Sequence, residues 1–102
     1  MTTEKANKDF NRLTAANGFT DSGIQTPIGC EVYSRKWSRK VQVAWYGEST
    51  DTLMVRIWMQ YGIPMVWVIR NGQMEDRIRS YTSPKRAMNA IAEIVRFAGY
   101  EM

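Results

Sequence analysis

The chain has no histidine and a single cysteine, Cys30. The commonest general base and metal ligand is therefore missing, and a structural zinc site, which takes four Cys or His ligands, is excluded. Acid–base work would fall to carboxylates, lysine or tyrosine. Glu75-Asp76 is the only adjacent acidic pair, and on a strand two neighbours point to opposite faces. Glu48 and Asp51 flank a turn within "GESTD" and could bind a cation weakly, but the stretch reads as ordinary turn chemistry. The glycines make no phosphate cradle. Cys30 follows a Pro-Ile-Gly turn with no histidine to activate it, and reads as a buried structural thiol. These features predict a chain that is not an enzyme and holds no cofactor or metal. A nuclease using scattered carboxylates and a bound metal is the enzymatic alternative.

The cations and aromatics are more informative. "YSRKWSRKV", residues 33–41, carries four cations and two aromatic rings in nine positions. Arginine offers a planar fork to phosphate, and a ring offers a π-face to a base. The net charge of +4 permits an acidic partner without requiring one.

The elements that must position these groups follow from periodicity. Residues 3–17 read as a helix with Ala6, Phe10 and Leu13 on one face, Thr2 or Thr3 as cap and Gly18 as stop. "TDSGIQTPIG" reads as a connecting loop. The period then changes to two. Glu31–Trp37 and Lys40–Tyr46 read as a hairpin turning at Ser38-Arg39, although those residues are poor turn formers. Leu53–Tyr61 alternates as a strand, Gly62 reverses the chain, and Ile63–Arg70 is the next strand. Asn71-Gly72 is a strong hairpin signal leading into Gln73–Tyr81. The last helix spans 84–98, with Ser83 as N-cap, Pro84 at its first position, and Ala87, Ile91, Ile94 and Ala98 as a stripe widened by Met88 and Val95. The expected fold is α+β: a single domain, 1–102, with an antiparallel sheet of about five strands and N- and C-terminal helices packed on one face, α-β-β-β-β-β-α.

The register implied by Asn71-Gly72 pairs Arg70 with Gln73, Ile69 with Met74, Trp67 with Asp76 and Met65 with Ile78. Ile63, Met65, Trp67, Ile69, Met74 and Ile78 then share a buried face with Val55, Ile57, Val32, Val41, Val43 and Trp45. The open face carries Arg35, Lys40, Arg56, Arg70, Arg77 and Arg79, interleaved with Tyr33, Trp37, Tyr46, Trp58 and Tyr81, with Val66 and Val68 at its centre. Lys85 and Arg86 sit in the first turn of the last helix, where the helix dipole disfavours cations and a docked phosphate would reverse the penalty. "SPKRAMNAIA", residues 83–92, resembles the start of the second helix of the double-stranded RNA-binding domain. This chain has more strands than that domain and lacks its other motifs, so no residue role is taken from the likeness.

Two functions fit such a face. One is a non-enzymatic module contacting nucleic acid or a nucleoprotein, with Trp37, Trp58 and Tyr81 stacking and the arginines on phosphates. The alternative is a protein-interaction module, either a homodimer or a small inhibitor or adaptor, anchored by Trp58, Val66 and Val68. A solvated face whose charges only block aggregation is the plain reading beside both. The single cysteine and the polar N-terminus, with no secretory h-region, predict a reducing, cytoplasmic setting. The longest apolar run, Ile63–Ile69, is too short to span a bilayer, so no membrane is expected.

Overall fold

A computed structural model describes residues 3–45, 47–75 and 77–102. Its elements are α1 (Thr3–Ala16), β1 (Thr20–Gln25), β2 (Glu31–Val43), β3 (Gly47–Gln60), β4 (Ile63–Arg70), β5 (Gln73–Met74), β6 (Arg79–Ser80) and α2 (Pro84–Phe97). The strands form one antiparallel sheet in the order β1-β2-β3-β4-β5, with β6 also paired to β4. Both helices pack on the same face of this sheet, as the alternation and helix periodicity predict. Phe10 of α1 and Ala87, Met88, Ile91 and Val95 of α2 close over Leu53, Val55 and Ile57 of β3 and Val66 and Val68 of β4.

The two helices end alike. At α1 the Gly18 N–H donates to the Ala15 carbonyl and the Phe19 N–H to the Thr14 carbonyl; at α2 the Gly99 N–H donates to Arg96 and the Tyr100 N–H to Val95. Each is a Schellman ending on a glycine with positive φ, 76° at Gly18 and 89° at Gly99. The N-terminus of α2 forms as expected: the Ser83 hydroxyl accepts from the Arg86 N–H at 3.2 Å, and Pro84 follows it.

Three elements differ from the sequence reading. The hairpin expected at Ser38-Arg39 does not exist. β2 runs straight through it, Trp37 pairs with Leu53 and Lys40 with Thr50, and "GESTD" lies inside β3. The chain reverses between Val43 and Gly47 instead, where Gly47 takes φ 79°. Ser-Arg adopts that backbone poorly, whereas glycine does so without strain. Second, "TDSGIQ" is an edge strand, β1, whose polar side chains and irregularity between Asp21 and Ile24 hide the alternation. Third, β5 is short. Arg70 pairs with Gln73 and Ile69 with Met74 as expected, but the pairing then slips and Met65 meets Ser80 rather than Ile78. The expected roles of Thr2, Tyr46 and Asp76 fall outside the described residues.

β4 pairs only with Leu53–Gln60 of β3, so the β2–β3 ribbon continues past the rest of the sheet as a two-stranded arm. The molecule measures 53 × 26 × 21 Å. Its radius of gyration is 14.7 Å, above the roughly 13 Å usual for a chain of this length. Trp45 sits at the arm's tip, 90% exposed.

Candidate interaction face

The register decides which side chains the helices cover. Tyr33, Ile57 and Val66 form one cross-strand row, Arg35, Val55 and Val68 the next, and Trp37, Leu53 and Arg70 a third. These rows hold most of the strand residues of the core beneath α1 and α2. Val66 and Val68 therefore belong to the covered face, and Met65, Trp67, Ile69 and Met74 to the other, which reverses the expected assignment on β4. Alternation could not settle this, because both sides of β4 are apolar. The β-branched row gives α2 a flat bed for Ile91 and Val95, both fully buried.

The expected basic, aromatic face is consequently divided. On the helix side, Trp37 is 8% exposed and donates from Nε1 to the Glu101 carbonyl at 2.9 Å. Arg35 lies over the Trp37 ring at 4.5 Å and donates to the Asn17 carbonyl at 2.8 Å. Tyr33 meets Phe10 edge-on at 5.9 Å and donates to Glu31, and burial followed by that bond pushes its hydroxyl pKa up. Arg70 pairs with Asp51 at 3.4 Å and Arg79 with Glu75 at 2.8 Å. Tyr81 is partly buried against the core. Arg77 is exposed between β5 and β6, and Lys85 and Arg86 are exposed at the start of α2. Lys85 lines a groove between the helices beside Asp9 and Arg12. Of the proposed set, Lys40, Arg56 and Trp58 remain on the helix-free face, and Lys40 already pairs with Glu48 at 3.7 Å. Cys30 is half-buried, less enclosed than expected.

What the structure gathers on the helix-free face is a second apolar surface. Lys36, Met54, Ile69 and Met74 form one row across four strands; Ser34, Arg56 and Trp67 form the next; Trp58 pairs with Met65 beyond it. Ile24, Ile28, Ile63, Met74 and Ile78 are each 41–55% exposed. Alternation assigns Ile63, Met65, Trp67, Met74 and Ile78 to the core, places Met54 correctly beside Arg56 and Trp58 on the open face, and gives no role to Lys36, Ile24 and Ile28. The signal was present: β3 and β4 are apolar on both sides, and two helices on one face of a sheet cover only one of them.

At one end of this face the β1–β2 connection folds over the sheet and leaves an open pocket of about 340 Å³. Trp58, Trp67, Val32, Ile24, Ile28 and Ile78 supply its apolar walls, and Arg56 its charge. Trp58 is only 5% exposed, and its Nε1 donates to Gln60 at 3.2 Å. The Arg56 Nε is buried and has no hydrogen-bond partner.

No group of three His, Cys, Asp or Glu side chains fit to hold a metal occurs among the described residues. No helix among them is long and apolar enough to cross a membrane. Comparisons with known proteins supply no relative: no family model matches the chain, and no curated protein and no solved structure matches it.

Proposed function

We propose that this chain is a non-enzymatic binding module that recognises another protein through the helix-free face of its sheet. The observation that carries the reading is one antiparallel sheet with two apolar faces and helices over only one. An antiparallel sheet that meets water on one side ordinarily alternates apolar with polar residues. Here the uncovered rows hold Met54, Ile69, Trp67, Met65 and Met74. Ile69 is already buried by its neighbours, but Met54, Met65, Trp67 and Met74 keep apolar surface in water. Fully burying a side chain of this kind contributes at most about 1.5–3 kcal/mol, and contiguous exposed apolar surface marks interaction sites. The anatomy is that of an interface, with an apolar centre, two tryptophans, and Lys36, Arg56 and the Lys40–Glu48 pair as its charged groups.

The nucleic-acid reading has less support. Several arginines of the expected face are engaged within the molecule, Arg35 with a helix end, Arg70 with Asp51 and Arg79 with Glu75, while Arg77 is exposed and Arg56 lies across the sheet on the helix-free face. Lys85 and Arg86 begin a helix packed on the opposite side of the sheet from Lys36 and Arg56.

The test is capture from lysate of the source cells, with and without nuclease, by the wild type and by a Met65→Lys/Trp67→Glu variant shown to be folded by its circular dichroism melt. A partner that survives nuclease and is lost with the variant supports the reading. A partner released by nuclease, or retained equally by the variant, overturns it.

A further inference from the structure

The pocket beside Arg56 specifies the chemistry of the segment that docks there, an inference that rests on the protein-binding reading above. Its walls are Trp58, Trp67, Ile24, Ile28 and Ile78, suited to an aliphatic or aromatic side chain. Arg56 rises among them on the same row as Trp67. Buried arginine donors are normally satisfied, yet the Nε of Arg56 is enclosed and bonds nothing. Nε itself is closed off, so a docking carboxylate meets the guanidinium where Arg56 lines the pocket, through the Nη–H groups, a planar fork that takes both oxygens. We propose that this pocket receives an apolar side chain flanked by an aspartate or glutamate, presented by an acidic segment of a foreign protein.

Charge complementarity favours that occupant over a second copy of the chain. Among the described strand residues of this face, the cations without an ion-pair partner are Lys36 and Arg56, and the acid, Glu48, already pairs diagonally with Lys40 at 3.7 Å. Two copies meeting face to face would bring these cations together with no unpaired carboxylate among the described strand residues of the face to answer them, in a chain of net charge +4. An acidic partner supplies what the face lacks and is drawn to it at low salt.

The probe is a random peptide library displayed on phage and selected on the wild-type chain, with recovered sequences remade as fluorescein-labelled peptides for anisotropy titration. Recovered peptides are expected to pair Leu, Ile, Phe or Trp with a neighbouring Asp or Glu. Exchanging that acid for its amide should weaken binding to the wild type by about ten-fold or more, and should change little on Arg56→Met. The acid-to-amide comparison needs no protein variant, so it stands even if Arg56→Met folds poorly. Peptides that depend on Met65 and Trp67 but carry no acid, and bind Arg56→Met as tightly, overturn this inference and leave the protein-binding reading in place. Peptides indifferent to Met65→Lys, or a selection that recovers none, overturn both. A chain found dimeric by light scattering, and made monomeric by Met65→Lys, assigns the face to a second copy and overturns the foreign segment.

Discussion

Arg35 and Arg39 stand on the same side of β2, and each serves the carboxyl end of a different helix. Arg35 donates to the Asn17 carbonyl at the end of α1 at 2.8 Å. Arg39 donates to the carbonyls of Gly99 and Ala98 at the end of α2, at 3.0 and 3.2 Å. Between them Trp37 is buried, edge-on to Phe19 at 6.5 Å. The cation-rich stretch that suggests phosphate recognition is thus the strand that fastens both helices to the sheet. A helix C-terminus leaves carbonyls unpaired and carries partial negative charge, so guanidinium is a fitting cap.

Removing these caps should cost stability. Arg39→Ala loses two carbonyl bonds, the 3.6 Å approach to Asp51 and the stacking on Tyr100 at 4.7 Å. Its expected cost is about 1–3 kcal/mol, read from urea unfolding followed by tryptophan fluorescence. Arg35→Ala should cost about 1–2 kcal/mol on the same scale. Arg39→Lys should recover only part of the loss, because an ammonium cannot span two carbonyls and a carboxylate as the planar fork does.

Gly99→Ala should act through the same arginine. Gly99 has φ 89°, and a Cβ there would stand 2.6 Å from the Arg39 Nη1. Backbone strain alone costs about 1–2 kcal/mol, and Arg39 must also move. The two substitutions should therefore be less than additive in a double-mutant cycle. Gly29→Ala, at φ 87° with open space around it, supplies the control for strain without collision.

Asp51 joins three parts of the fold and should shape the acid limb of stability. The Tyr100 hydroxyl donates to it at 2.7 Å, Asn71 donates at 3.1 Å, and Arg70 and Arg39 lie beside it. The Tyr100 and Asn71 hydrogen bonds, with help from the two arginines, hold its carboxyl below the ordinary range. A carboxylate with a lowered folded pKa contributes stability that is fully present above its unfolded value, about 3.9, and is lost as pH falls through the folded value. Asp51→Asn should flatten that loss in acid melts. Tyr100 behaves in the opposite sense: burial, then its bond to Asp51, raises its pKa. Its contribution is complete below the ordinary tyrosine value near 10 and fades as pH climbs through the raised one.

The legible parts of the fold were those in which one local rule acts without competition. Ser83-Pro84 and the Ala87–Ile91–Ala98 stripe gave α2, and Asn71-Gly72, at φ 52° and 80°, gave its turn and the first two pairs beyond it. Glu31–Trp37 and Lys40–Tyr46 read as strands, but the turn expected at Ser38-Arg39 between them conceals that Arg35, Trp37 and Arg39 all face the helices. Face assignment failed on β4 for a different reason. Met65, Trp67 and Ile69 are as apolar as Val66 and Val68, so alternation gives the two sets without saying which one α2 will cover. Capping of a helix by a distant arginine leaves no trace in a single sequence, because the acceptor is a backbone carbonyl.

The turn between β3 and β4 holds a residue unsuited to it. Tyr61 takes φ 52° ahead of Gly62 at 77°, and the residue is 82% exposed. Positive φ costs an ordinary L-residue about 1–2 kcal/mol, and asparagine is favoured at this position of a two-residue hairpin. Tyr61→Asn should raise stability by about 0.5–1 kcal/mol, visible as a higher urea midpoint with an unchanged slope.

Adjacent positions on β4 separate the two face assignments directly. If Met65 belonged to the core and Val66 to the open side, Met65→Lys would unfold the chain and Val66→Lys would be tolerated. The structure requires the reverse. Val66 is fully buried beneath the helices, whereas Met65 is half-buried on the helix-free face, opposite Trp58. A lysine at Met65 can extend its ammonium to water along its own stem, at a cost of about 1 kcal/mol or less. At Val66 the charge has no route out and no partner, and a buried unpaired ammonium is not tolerated in so small a core. Met65→Lys should melt cooperatively near the wild-type temperature and be more soluble, because it breaks up an exposed apolar patch. Val66→Lys should be expressed unfolded. The opposite pattern in circular dichroism melts would return Met65 and Trp67 to the core and remove the surface on which the proposed recognition depends.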